Sequence, residues 1–133
     1  MRQQVLDYLN SNKVSGFTLT EELPWDNSGQ PLYLKNFKRI YVDRDQVVQE
    51  PLIETLDDRG IVNEITTVTV FVTTDAKNVP SNLDTLVSTI KNARLDTEIS
   101  GVTQRATQVE SDFIGDAVVT QFDLSWRQLI VNR

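Results

Sequence analysis

The sequence predicts an α+β fold: a mixed, mostly antiparallel sheet with two helices packed on it and a long C-terminal β-hairpin. Apolar residues recur at helical spacing near the N-terminus and again after residue 80. Elsewhere they alternate with polar residues over long runs, which is typical of half-buried strands. The 133 residues contain no internal repeat or linker-like tract, so we expect residues 1–133 to form a single domain.

The N-terminal segment is predicted to be a helix followed by a short strand. Val5, Leu6 and Leu9 have the spacing of an amphipathic helix over residues 2–12, and a cluster of asparagine and serine ends it. A glycine then precedes residues 17–20, whose alternation indicates a strand.

Trp25 lies in a segment, residues 21–31, whose prolines, glycine and Asp-Asn-Ser-Gly run favour turns over regular structure. A tryptophan in a loop commonly folds back over the edge of the core. An exposed one is a natural anchor at a protein interface. The sequence leaves both interpretations of Trp25 open.

The middle of the chain is predicted to contain two strands and a long connection. Residues 37–43 have high strand propensity. Residues 44–63 contain Pro51 and the turn signal Asp-Asp-Arg-Gly, so we expect a long connection with one helical turn at most. Residues 64–74 form the clearest strand, and we expect it to be central with three valines facing the core: Val68, Val70 and Val72.

The second helix is predicted over residues 81–94. Ser81 and Asp84 resemble a capping box, and Arg94 lies near the negative end of the helix dipole. One apolar stripe at helical spacing must pack on the sheet: Leu83, Leu86, Val87, Ile90 and Ala93.

The last third of the chain is predicted to be a hairpin. Residues 99–110 are β-friendly but polar, residues 111–116 form the tip, and residues 117–130 return as a long strand. We expect the outer part of this hairpin to extend past what so small a domain can cover and to meet another protein surface. The candidate interface residues are Trp25, Arg105, Phe113, Ile114 and Asp116.

The composition removes most catalytic chemistry. With no histidine and no cysteine, the chain lacks the commonest general base, the commonest metal ligand and any thiolate. Asp43 and Asp45 would share one face of a strand but lack a third ligand, and residues 57–60 lack the spacing of a calcium loop. A carboxylate pair for glycoside hydrolysis is not excluded by spacing, but nothing favours it. We therefore expect no enzyme, no cofactor and no metal.

The net charge of −6 opposes tight binding of nucleic acid. It would equally suit a surface that DNA passes without sticking, or simply ordinary solubility. Lys35, Lys38 and Arg39 beside Phe37 and Tyr41 form a small basic-aromatic patch that could contact a phosphate backbone. Against a net charge of −6, pairing with an acidic neighbour is the favoured interpretation. No signal peptide or membrane-length apolar run is visible, so we expect a protein made in a cytoplasm or assembled into something there.

The order of these elements resembles that of the tail terminator proteins of long-tailed bacteriophages and of the neighbouring head-tail joining proteins. The resemblance covers the N-terminal helix and the chain from about Asn36 onward. It is carried by the central strand at residues 66–72, the proline-started helix at 81–94 and the hairpin that closes with residues 122–126. The segments 21–31 and 44–63 are longer than in the smallest members.

The resemblance implies a structural virion protein rather than an enzyme. It implies a homo-oligomeric ring, usually hexameric, that caps the tail tube and joins it to the head connector, with DNA passing through the channel and not specifically bound. Such a protein has no cofactor, no catalytic residue and no membrane partner. The alternative is a baseplate or other non-catalytic module that binds a partner without forming rings.

Overall fold

The computed structural model describes residues 1–32, 37–54, 60–78, 80–92, 103–114 and 117–131, with backbone alone at 52–54, 60, 103–114, 117 and 131. These residues form two helices and six strands. In chain order they are α1 (Arg2–Ser11), β1 (Thr18–Thr20), β2 (Arg39–Val42), β3 (Gln46–Glu54), β4 (Gly60–Asp75), α2 (Leu83–Lys91), β5 (Thr103–Ile114) and β6 (Ala117–Val131).

The strands form one mixed sheet in the order β1-β2-β4-β6-β5, and β3 pairs with β4 off this path. Only β1 and β2 are parallel among the described pairs. The predicted α+β class, the mostly antiparallel sheet and the central position of β4 are therefore confirmed.

Both helices pack on one face of the sheet, which we call the first face. Val5, Leu6 and Leu9 of α1 and two residues of α2, Leu86 and Ile90, are buried there. The facing strand residues are Ile40, Val42, Val68, Val70, Val72, Phe122, Leu124 and Trp126, none more than 5% exposed. The Tyr8 hydroxyl joins the helices by donating to Thr89 O at 2.8 Å. The predicted apolar faces of both helices and of β4 are thus confirmed.

The prediction of a long connection at residues 44–63 is wrong. Residues 46–54 form β3, which pairs antiparallel with the first part of β4. Strands β2 and β3 follow each other along one edge of β4, because Val42 pairs with Val70 and Gln46 with Thr67. Pro51 is compatible with this because, among the described strands, β3 pairs with β4 alone, and an edge strand tolerates a missing N–H. Residues 55–59 lie outside the described part of the chain.

The start of α2 differs from the prediction at Ser81. The helix begins at Leu83, its N-cap is Asn82, and no side chain caps it. The Asn82 side chain donates instead to Ser15 O in the connection after α1, so it links two segments of the chain. Ala93 and Arg94 lie outside the described residues.

The C-terminal hairpin exists, but it is part of the sheet rather than a free arm. Strand β6 pairs with β4 from Ile61↔Val131 to Asp75↔Ala117, and β5 pairs with β6 up to Ile114↔Ala117. Residues 111–114, predicted as the tip, continue β5. Strand β4 runs alongside β6 to this last pair, so the hairpin does not project beyond the sheet there. The exposure expected for Phe113 and Ile114 concerns side chains outside the described part of the structure.

Two leucines of β6 offer a matched test of this core. Leu124 is 1% exposed and Leu129 is 63% exposed. We expect Leu124→Ala to lower the free energy of unfolding by about 2–5 kcal/mol, because it leaves a cavity under the helices. Leu129→Ala should change it by less than about 0.5 kcal/mol. Urea unfolding of dilute protein measures both, and similar losses would contradict the described burial.

Candidate assembly surface

The helix layer ends well before the sheet does. The last β4–β6 pair on the first face with both residues buried is Val68↔Leu124, and in the next pair on that face Trp126 is buried whereas Thr66 is half-buried. A cavity of about 180 Å³ lies at this boundary, lined by Met1, Asp45, Val47, Glu64, Thr66, Trp126 and Gln128. Beyond it, neither α1 nor α2 lies over β3, the first residues of β4 or the last residues of β6. We call this part, residues 46–51, 61–66 and 127–130, the distal end of the sheet.

The distal end exposes apolar side chains on both faces. Val47, Val48 and Leu129 are 56%, 54% and 63% exposed. Register places Val47 beside Thr66 on the first face and Val48 beside Ile65 on the other, which we call the second face. Ile65, Val62 and Ile130 are only half-buried. A surface of this kind, apolar on both sides and next to a free edge, is typical of a protein contact.

Buried apolar side chains on the second face lie at the end of the sheet opposite the distal end. There Tyr41, Phe71 and Val119 form a small buried cluster with Leu32 packed against it. Further along, the face is polar, and Thr69 Oγ1 donates to Asp123 Oδ1 at 2.9 Å across the β4–β6 pair. No helix among the described residues packs on this face.

Trp25 both packs against the edge of a buried cluster and remains partly exposed, so it combines the two interpretations left open by the sequence. Its loop is closed by a bridge to Pro31 and by Asp26, whose Oδ1 accepts hydrogen bonds from Ser28 and Gln30. The indole packs edge-on against Phe71, with ring centroids 5.8 Å apart, and remains 38% exposed. It therefore closes the second-face cluster and still presents a surface to solvent.

The other predicted interface residues lie on the hairpin. Arg105 is in β5 opposite Ser125, while Phe113 and Ile114 occupy the last two pairs before the turn, opposite Val118 and Ala117. Asp116 lies outside the described residues. Trp25 and these last two pairs of the hairpin are thus remote from the distal end.

Asp45 has a structural role at the start of α1. Its Oδ1 accepts from the Arg2 N–H at 2.7 Å, and its Oδ2 lies 2.8 Å from the Met1 nitrogen. The Asp43 carboxylate accepts from the N–H of Arg44 instead. The two carboxylates therefore serve different local bonds, and no group of three potential metal ligands occurs among the described residues.

The basic-aromatic patch predicted around Phe37 does not form as expected. Tyr41 is fully buried, so its ring cannot stack on a ligand. Lys38 and Phe37 are exposed, Arg39 is half-buried, and Lys35 lies outside the described residues. A separate groove of about 390 Å³ between α1 and β1 is largely polar, and its Asp7 carboxylate already accepts from Gln3 at 2.9 Å.

Sequence reasoning missed the distal end altogether. One signal was present: Val47 and Val48 are adjacent within a polar run, so a strand there must place one valine on each face. Leu129 and Ile130 repeat the pattern in β6. Such pairs depart from the alternation of a half-buried strand and indicate a segment without a preferred core side.

A scan of the sequence against protein-family models and a search of curated proteins both produced no match. Neither helix in the described part of the chain has the length and apolar content required to cross a membrane.

Asp45 and Asp43 permit a paired test of the structural assignment. We expect Asp45→Ala to lower the free energy of unfolding by about 1–2 kcal/mol, because the first N–H groups of α1 lose their acceptor. Asp43→Ala should cost less, since only a neighbouring N–H is affected. Thermal unfolding with and without Mg²⁺ or Ca²⁺ measures both. A rise in Tm with either ion that disappears in Asp45→Ala would contradict this role.

Proposed function

We propose that this protein is a tail terminator of a long-tailed bacteriophage, a homo-oligomeric ring that caps the tail tube and joins it to the head connector in the virion. The observation that supports assembly most directly is the exposed distal end, where Val47, Val48 and Leu129 lie beside a free strand edge. A monomer gains nothing from strands that extend beyond its helices, whereas burying them between subunits removes apolar surface from water.

The composition supports a channel function for such a ring. The net charge of −6 disfavours adhesion of a polyanion, so DNA would pass the ring wall without specific binding. The chain contains no histidine or cysteine, and the proposed role requires neither catalysis nor a cofactor. Assembly would take place in the host cytoplasm, with the tail tube protein and a neck protein as partners.

The second candidate is a baseplate or other non-catalytic binding module. It is favoured by Trp25, which is 38% exposed on the second face although it packs on Phe71. Such a module would use the tryptophan as an anchor in a partner's pocket and would not form rings.

Oligomeric state separates the two candidates. We expect native mass spectrometry of concentrated protein to show a closed oligomer, with six copies as the leading expectation, and negative-stain electron microscopy to show rings with a central channel. Purified tail tubes should increase the ring population and carry rings at one end. A strict monomer at high concentration and with tail tubes present would contradict the tail terminator and favour the module.

Charged substitutions at the distal end test whether this surface makes the contact. We expect Val48→Asp and Leu129→Asp to weaken association by about tenfold or more, because an unpaired carboxylate would be buried between subunits. Both positions are exposed, so circular dichroism should show an intact fold. The control is Thr85→Asp on the exposed side of α2, which should still assemble. Equal assembly of all three variants would place the contact elsewhere.

A further inference from the structure

Two long strands of the sheet are bonded on one side only within the described residues. Strand β3, of 9 residues, pairs with β4, and β5, of 12 residues, pairs with β6. They lie at opposite margins of the sheet. Unpaired edges of this length are a template for another strand, and natural proteins usually shorten, charge or cover them.

The register identifies which main-chain groups of β3 point outward. The Asp43 N–H donates to Thr69 O at 2.9 Å, so odd residues of β4 bond toward the β2–β3 side. By the same alternation Thr67, Ile65 and Asn63 bond to Gln46, Val48 and Glu50. The N–H and C=O groups of Val47 and Gln49 therefore face away from the sheet.

The same alternation continues to the other margin. Even residues of β4 bond toward β6, so odd residues of β6 bond toward β5. Arg105 and Thr107, opposite Ser125 and Asp123, are thus bonded inward. The N–H and C=O groups of Ala106 and Gln108 are left facing out.

The two free edges have the directions needed to pair with each other. Strand β3 is antiparallel to β4, β4 to β6, and β6 to β5, so β3 and β5 run in opposite directions. A second copy placed alongside in the same sheet would bring its β5 antiparallel to β3. This contact is heterologous, the type that generates closed rings or open filaments.

Charge selects one register for this contact. Strand β3 contains Glu50 and Glu54 and no basic residue, while Arg105 is the one basic residue of β5. Placing Glu50 opposite Arg105 of the next copy also sets Gln49 against Ala106, so that outward-facing main-chain groups meet. Opposite charges in directly facing positions stabilise a strand pair.

We propose that β3 of each subunit pairs antiparallel with β5 of the next copy, with Glu50 opposite Arg105 and Val48 opposite Thr107. The proposal deepens the ring function and rests on it. The two edges are offset along the strand direction. Strand β3 lies beside residues 60–67 of β4. Strand β5 starts at the level of Ile65, because its first residue pairs with Arg127 and Arg127 pairs with Ile65. Closure therefore requires the strands to tilt from the ring axis, as strands do in a barrel.

Cysteine cross-linking tests the pairing directly, because the natural chain has no cysteine. Val48 and Thr107 would form a non-hydrogen-bonded pair with Cα atoms about 4.5 Å apart, within disulfide range. We expect oxidation of a mixture of Val48→Cys and Thr107→Cys proteins to give a covalent dimer. Each single variant alone should remain a covalent monomer, and the double variant should give a ladder ending at the ring.

The outcomes separate this pairing from the ring itself. Rings that form without the cross-link overturn the pairing and leave the tail terminator standing. Covalent dimers from Val48→Cys alone also overturn it, since they indicate a two-fold β3–β3 contact. A cross-linked ladder that forms open chains and no rings supports the pairing and contradicts the ring function.

Charge reversal provides a second readout without cysteine. We expect Glu50→Arg and Arg105→Glu each to weaken association about fivefold or more, measured by sedimentation. The double variant should recover to within about twofold of the natural protein. Losses that add in the double variant would overturn the proposed register.

Discussion

The continuous pairing of β4 with β6 is the constraint on which the rest of the structure depends. It runs from Ile61↔Val131 to Asp75↔Ala117, so two strands of 16 and 15 residues lie side by side without interruption. A strand rises about 3.3 Å per residue and a helix 1.5 Å, so β4 is about 50 Å long whereas α1, with 10 residues, spans about 15 Å. The two helices are therefore too short to cover the whole sheet, and Val47, Val48 and Leu129 at its distal end are exposed.

The two faces of this long sheet differ in how much apolar surface they bury. On the first face the helices seal a continuous core from Val68 to Val72 on β4 and from Phe122 to Trp126 on β6. On the second face a small buried cluster around Tyr41 and Phe71 lies at one end, polar contacts such as Thr69 to Asp123 occupy the middle, and exposed Val48 lies at the distal end. Val47, Val48 and Leu129 are thus exposed at the distal end, beyond the helices on the first face and the Tyr41–Phe71 cluster on the second. This arrangement favours association through one end of the sheet and its edges.

Periodicity explains which elements were predictable. Helices α1 and α2 and the long strands β4 and β6 each have a buried side and a solvent-facing side over part of their length, so their apolar residues repeat at a recognisable spacing. In strand β3, residues 46–51 are all exposed, so this part of the strand has no buried side. Val47 and Val48 are both about half exposed, and Pro51 indicates a turn to any local rule although an edge strand tolerates it. The start of α2 was mispredicted for a different reason: the N-cap is Asn82, and its side chain donates to the distant Ser15 O instead of capping the helix.

The candidate assembly surface also combines features that were predictable from the sequence with features that were not. The sequence alone determined the absence of imidazole and thiol chemistry, the acidic charge and the strands available for pairing, because composition and local spacing encode these properties. The tertiary structure decided that β6 stays paired with β4 as far as Ala117 and that Val47, Val48 and Leu129 are exposed. Exposure at those positions depends on where the helices stop relative to the strand register. That is a non-local property, set by segments far apart in the chain.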